Sequence, residues 1–188
     1  MKINAIDIKP RNVLEHAGKL WLVMKRELVQ PGKGGAFAQV EMRDLRAGNK
    51  TIERFRTQET VERVQLDEKE MQFLYFEGSQ ATFMDNESFE QIAVDREMIG
   101  EPADFLRDGM VCTVRLYEGA ALSVELPQTV AMLLVEADPV VKGQTASSSY
   151  KPGKLENGRR VMIPPHVEAG TRIVVNTSDG TYVERAKD

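Results

Sequence analysis

The clearest hydrophobic pattern lies in the first third of the chain, where Ala38, Val40 and Met42 alternate with Gln39, Glu41 and Arg43. A two-residue period puts one row of side chains on a buried face and the other in water, as in a strand; a helix needs apolar positions three and four apart. Similar short runs predict strands over Lys19 to Gln30, Ala36 to Leu45 and Thr51 to Thr57, separated by a Pro- and Gly-rich tip and by Ala47-Gly48-Asn49. Hairpins of this length, closing on a small core, predict an SH3-like barrel.

The pattern recurs in the middle of the chain. Met71 to Phe76 and Gln80 to Met84 flank a turn at Glu77-Gly78, and Val111 to Tyr117 and Ala121 to Leu126 flank one at Glu118-Gly119. Between these hairpins, Asp95 to Ile99 and Pro102 to Leu106 read as short helical turns, Pro102 being tolerated in a first turn. Strands broken by one short helix predict an OB-type barrel. Past Pro127 come the apolar strand Val130 to Val135 and a polar loop from Lys142 to Ser149. Strands at Arg160 to Ile163, Thr171 to Asn176 and Thr181 to Arg185 follow, punctuated by Pro164-Pro165 and Ser178-Asp179-Gly180. A second OB-like barrel is expected there. The chain is therefore expected to be all-β, with modules at residues 1–64, 65–127 and 128–188. Units of this size bury only about 60% of their unfolded surface, so the second and third are expected to pack together.

Composition narrows the class. With 188 residues, 41% hydrophobic and 29% charged, the chain has enough apolar material for folded cores. Charges interrupt Met1-Lys2-Ile3-Asn4-Ala5-Ile6-Asp7, and the longest apolar run is Val130 to Val135. Neither a signal peptide nor a membrane span of roughly 20 apolar residues is expected. A lone cysteine, Cys112, predicts no internal disulfide and fits a reducing cytoplasm.

The net charge of −4 conceals a segregation along the chain. Residues 1–64 hold 13 Lys+Arg against 8 Asp+Glu, residues 65–127 hold 4 against 14, and residues 128–188 hold 8 against 7. A basic first module beside a strongly acidic middle one suits a protein that meets a polyanion with one end, while the other is held away or faces something basic.

Candidate chemistry concentrates on Val29-Gln30-Pro31-Gly32-Lys33-Gly34-Gly35-Ala36-Phe37. Pro31 sets one φ angle, and Gly32, Gly34 and Gly35 lift the steric limits on their neighbours, so the tip is thin and holds Lys33 away from the protein body. A phosphate-binding loop is excluded, because that motif requires a glycine where Glu27 stands, a Ser or Thr where Gly34 stands, and a following helix. His16 and His166 fall in separate modules without metal-ligand spacing, and Asp67, Glu68 and Glu70 read as a solvated charge run. Trp21, Phe37 and Phe55 read as core in preference to a base-stacking platform. No catalytic residue, cofactor or metal site is expected. What remains is a cation on a slender tip of a basic module, suited to reaching into a nucleic-acid cavity while other cations contact backbone phosphates.

The segment Pro31-Gly32-Lys33-Gly34-Gly35-Ala36-Phe37 resembles the tip of bacterial elongation factor P. Lys151 to Gly170 is similar to that family's C-terminal signature, with Lys151, Gly158, Val161, Ile163, Pro164, Val167 and Gly170 in register. Phe83-Met84-Asp85-Asn86-Glu87-Ser88-Phe89-Glu90-Gln91 and Gly180-Thr181-Tyr182-Val183-Glu184-Arg185 extend the likeness over essentially the whole chain.

The resemblance implies an SH3-like, KOW-type barrel followed by two OB barrels in an elongated, L-shaped arrangement similar to tRNA. It implies a monomeric, cytoplasmic, non-enzymatic factor on the 70S ribosome beside the P-site peptidyl-tRNA, relieving stalling at consecutive prolines. Lys33 would be extended by a modifying enzyme and would touch the CCA end. A β-lysyl, hydroxylated or aminopentanol-type extension fits a lysine here, while the rhamnose type requires arginine. Some positions depart from the family pattern. The third-module loop implied to approach the exit-site codon reads Gly143-Gln144-Thr145 instead of Gly-Asp-Thr, Gly153 replaces a usual alanine, and Asn176 and Ser178 stand where Asp and Arg are common. Two alternatives stay open: an elongation factor P-like paralogue that binds RNA or the ribosome without a role in peptidyl transfer, and an enzyme or carrier using Lys33 as a nucleophile. The intact Pro-Gly-Lys-Gly tip disfavours the first. A solvated lysine is a poor nucleophile at neutral pH, which disfavours the second.

Overall fold

The computed structural model describes residues 1–140 and 149–187. By contacts the chain forms two compact units: Met1–Glu68 with Arg115–Ser123, and Lys69–Val114 with Val124–Asp188. Among the described residues no helix is long and apolar enough to cross a membrane.

The first unit is built on β1 (Lys2–Asn4), β2 (Val13–His16), β3 (Lys19–Val29), β4 (Phe37–Asp44), β5 (Lys50–Arg56) and β6 (Thr60–Val64). They form one six-stranded sheet in the order β1-β6-β2-β3-β4-β5. The alternation in β4 does what its period demands: Ala38, Val40 and Met42 are fully buried and join Leu14, Trp21, Val23, Phe55 and Val61 in one core. Ala5, in a 3-10 turn at Ala5–Asp7, and Ile8 just after it close that core. A second cluster in the same unit joins Val13 and Leu20 to Leu122, with Leu22, Leu45, Val64, Leu66 and Tyr117 packed around them.

The next strands are β7 (Asp67–Glu77), β8 (Gln80–Asp85), β9 (Gln91–Asp95), β10 (Val111–Tyr117) and β11 (Ala120–Glu125), in the order β11-β10-β7-β8-β9. A single-turn helix α1 (Arg96–Ile99) and a 3-10 turn (Glu101–Phe105) stand where helical turns were expected, the first capped by Asp95, which accepts from the Glu97 N–H. Phe73 and Phe83 meet at 5.6 Å in the core of this sheet. Cys112 is fully buried, and burial foremost, with Glu70 adding to it, pushes its thiol up to about 12. The last sheet runs β14-β13-β12-β15-β16, from β12 (Thr129–Ala137), β13 (Lys151–Leu155), β14 (Arg160–Ile163), β15 (Arg172–Asn176) and β16 (Tyr182–Arg185).

Within the second unit the turn Glu101–Phe105 is stitched to the loop before β14. Asn157 Nδ2 donates to the Asp104 carbonyl at 2.9 Å, Arg159 reaches the Asp104 carboxylate at 3.3 Å, and Arg107 pairs with Glu156. The guanidinium of Arg159 also lies 5.1 Å from the Phe105 ring centroid.

Strands β1, β2, β6, β9 and β13 lie outside the expected set. Each is only three to five residues long, too short to display a period; β1, β2 and β6 form because a distant partner offers a ladder, β1 pairing Lys2 with Glu62 and Asn4 with Thr60, whereas β9 and β13 pair with the strands next to them in the chain. Strand β7 begins at Asp67, four residues before the apolar run that predicted it.

Two local features yield expected outcomes. A Cβ built at Gly153 would lie 2.9 Å from Leu134 Cδ1 and 3.1 Å from the Glu136 carbonyl oxygen. Gly153→Ala is therefore expected to destabilise the protein by about 1–3 kcal/mol in chemical denaturation, as overpacking does. Asp85, 5% exposed, accepts from the Glu87 N–H at 2.8 Å and from Lys69 Nζ at 3.0 Å, which lowers its carboxyl to about 2. Its stabilising contribution is complete above the ordinary carboxyl value of about 3.9 and is lost as pH falls towards about 2. Thermal unfolding of Asp85→Asn should fall less steeply than wild type between those pH values.

Candidate functional site

The ladder between β3 and β4 runs unbroken from the pair Arg26↔Val40 to Val29↔Phe37, and the chain beyond that last pair, residues 30–36, is left as a loop. Pro31, Gly32, Lys33, Gly34 and Gly35 are all exposed. Gly34 takes φ +125°, a value that L side chains rarely adopt, so the bend beside Lys33 requires glycine. At Gly32 and Gly35 a Cβ would meet nothing within 4 Å, so these two serve thinness more than any close contact. Among the described residues Lys33 makes no hydrogen bond or ion pair. The base of the loop is held by the Thr57 N–H donating to the Ala36 carbonyl at 3.3 Å, and the stem by Arg26 Nη1 donating to the Ile6 carbonyl at 2.9 Å.

Register places a row of cations on the outward face behind this tip. Lys50, Arg54 and Arg56 alternate with the inward Thr51, Glu53 and Phe55, and Arg43 sits opposite Lys50 across β4 and β5. Arg56 pairs with Phe37, the first residue after the loop, and the Arg54 guanidinium lies 5.2 Å from the Phe37 ring centroid. None of these four cations forms an ion pair among the described residues. Lys25 differs: Glu27, by hydrogen bond and by charge, raises its pKa and holds it in a pair beside a shallow depression lined with Gln39, Glu41 and Ile52. A stripe of unpaired cations ending in a slender lysine tip can track a phosphate backbone and project one ammonium beyond it.

The other candidates stay apart from this arrangement. Trp21 and Phe55 belong to the core, and Phe37 lies half-buried under Arg54, so no stacking platform forms. His16 packs edge-on against Phe55 at 5.3 Å, and His166 is an exposed loop residue. Glu68 pairs with Arg115, and Glu70 accepts from Thr113 Oγ1 at 3.0 Å, in keeping with a charged strand end. No group of three metal-ligating side chains occurs among the described residues. Gly143, Gln144 and Thr145 lie outside the described residues. The cationic row on β5 was missed by the sequence reading, although its signal was present as period-two cations within a short strand.

Three family models match the chain in succession: the elongation factor P KOW-like domain over residues 4–61, its OB domain over 66–124 and its C-terminal domain over 130–185. The chain belongs to the elongation factor P family. The elongation factor P of Rhodospirillum centenum is 64% identical over 188 residues, and that of Rhodospirillum rubrum 58% over 187, each alignment covering all of both chains. Among solved structures, the translation initiation factor 5A of Methanococcus jannaschii aligns with a TM-score of 0.55 at 21% identity, covering 68% of this chain and 92% of that one, which shows a shared fold. The family assignment makes the chain a translation factor of all-β architecture, a KOW-like domain followed by OB domains.

The cationic row carries an expected outcome of its own. Arg54→Glu combined with Arg56→Glu should leave thermal unfolding near wild type and weaken binding of the full chain to structured RNA. The salt slope of log K should fall by about 2, one unit for each phosphate contact removed, in a titration across ionic strength.

Proposed function

We propose that this chain binds the 70S ribosome beside the P-site peptidyl-tRNA and stimulates peptide-bond formation where consecutive prolines stall it. The observation that carries this reading is Lys33, exposed and without a hydrogen bond or ion pair among the described residues, on a glycine tip at the end of a cationic sheet face. Such a side chain has no work to do inside its own molecule. Family membership supports the setting, because relatives 53–64% identical carry the name of an elongation factor. The three matched segments support a division into a KOW-like module near residues 1–64 and OB modules near 65–127 and 128–188. The factor acts in the cytoplasm, as a monomer.

The mechanism is positioning. Proline is conformationally restricted and reacts poorly in peptide transfer, so a mobile peptidyl-tRNA spends little time in an attack-ready geometry. Alignment of reactants accounts for as much as roughly 7 to 11 kcal/mol in ideal cases, and a small part of that restores a useful rate. In this reading the chain supplies no acid, base or nucleophile. The basic first module contacts the tRNA backbone and Lys33 restrains the CCA end. An extension added to Lys33 by a modifying enzyme lengthens its reach and adds donors for phosphate and sugar oxygens. The Gly143-Gln144-Thr145 loop, if it meets messenger, does so through an amide.

Lys33→Ala should unfold at the wild-type temperature and leave synthesis through a run of prolines at the rate seen without the factor, measured in a reconstituted translation system. Rescue equal to wild type would overturn the reading. The intact mass of protein purified from its native host should exceed the sequence mass by one side-chain extension, mapping to Lys33.

A further inference from the structure

The strand that leads into the Lys33 tip is held on one side only for half its length. Strand β2 pairs with β3 over Lys19 to Leu22, and two more bonds follow, from the Arg11 N–H to the Val23 carbonyl and from the Val23 N–H to the Asn12 carbonyl. From Met24 to Val29 the strand neighbour among the described residues is β4 alone. That ladder is irregular where the one-sided half begins: Val23 pairs with Met42 and Lys25 with Glu41, so Met24 is an extra residue. A bulge of one residue bends a strand and reverses which side chains face the core. Directly opposed residues share a face, and Val40 is fully buried, so its partner Arg26 turns to the core side; unbroken alternation from the buried Val23 would have sent it outward. Arg26 therefore stands on the face opposite Lys50, Arg54 and Arg56.

On β3 the core ends at this row. Val23 is 1% exposed, Arg26 is half-buried, and Leu28, the next residue on the same face, is 53% exposed. Arg26 forms no ion pair among the described residues; its Nη1 donates to the Ile6 carbonyl at 2.9 Å. Ile6 lies in the 3-10 turn Ala5–Asp7, which is set in the core by the fully buried Ala5 and Ile8. The same turn reaches the other side of the tip's base. The Ile6 N–H donates to the Thr57 carbonyl at 3.1 Å, and the Thr57 N–H donates to the Ala36 carbonyl at 3.3 Å. Ala36 is thus tied to the turn through backbone bonds, and β3 through a single guanidinium, so that both sides of the loop's base are fastened to one buried anchor. A guanidinium carries several donors in a rigid plane, which suits it to such a tie.

We propose that Arg26 is a positioning residue: it pins the one-sided half of β3 to the Ile6 carbonyl and so fixes the direction in which the tip presents Lys33. Its cation acts within the molecule and is not one of the phosphate contacts of the opposite face. Without it the end of the hairpin pivots at the Met24 bulge, and a group displaced by about an ångström from its working place loses much of its effect on rate. The brace is a property of the chain alone; its consequence for rate rests on the reading of Lys33 as the group that restrains the CCA end.

The test uses the full chain with nitroxide labels on Gln30→Cys, at the start of the loop, and Asn49→Cys, in the connection from β4 to β5; Cys112 is fully buried and takes no label. Double electron–electron resonance should give one narrow distance with Arg26 in place, a distribution about twofold wider or more in Arg26→Met, and a near-wild-type width in Arg26→Lys, which keeps a donor for the Ile6 carbonyl. In reconstituted synthesis through a run of prolines, Arg26→Met should lower the rate at saturating factor about tenfold while affinity for 70S ribosomes and its salt slope stay unchanged, and Arg26→Lys should restore the rate. An unchanged distance distribution in Arg26→Met overturns the brace, and a broadened one with an unchanged saturated rate overturns its positioning role. Lower affinity with a reduced salt slope and an unchanged rate at saturation would make Arg26 a phosphate contact and end the proposal. If the wild-type chain itself fails to accelerate synthesis through prolines, the proposed function falls, and the distance measurement still decides the brace.

Discussion

Burial of the row Ala38, Val40 and Met42 is the constraint on which the position of Lys33 depends. Side chains alternate faces with a period of two, so a slip of one residue between β3 and β4 would carry this whole row into water and bring Gln39, Glu41 and Arg43 into the core. That penalty holds the register at Val29↔Phe37, and the register determines which residues are left over as the tip. It also puts Lys50, Arg54 and Arg56 on the outward face. The buried row and the cationic face are two consequences of one alternation.

Charge acts on a larger scale than any single pair. The ion pairs that do form lie largely in the acidic middle segment and in the turns next to it, where they neutralise its four cations and leave most of its carboxylates to solvent. In the first module Arg43, Lys50, Arg54 and Arg56 on the β4 and β5 face form no ion pair among the described residues. Exposed pairs contribute little stability, so this division is felt chiefly in what the surface attracts. One part of the chain is suited to phosphate and another repels it.

Three related turns show how far local chemistry determines local structure. Asp44, Asp85 or Asn176 at the first position, its side chain accepting from the N–H two places on, and a left-handed residue four places on, Gly48, Phe89 or Gly180, recur in three different sheets.

The sequence by itself determined the long alternating strands, the turn glycines, the short helical segment, the segregation of charge and the thinness of the Lys33 tip. These are local properties: a period of two, a φ angle that only glycine adopts readily, and a count of charges need no partner to be read. The likeness to the elongation factor P family was legible for the same reason, since its motifs are short and contiguous around Lys33 and from Lys151 to Gly170. Only the tertiary structure decided the rest. Strands β1, β2 and β6 exist because distant segments supply their hydrogen bonds, β9 and β13 because neighbouring strands complete the ladder of runs too short to show a period, and register decides which face the period-two cations of β5 take. Leu122 joins Val13 and Leu20 across a hundred residues of chain, a contact no local pattern announces. The face that Arg26 takes was settled in the same way, by a one-residue shift of register at Met24.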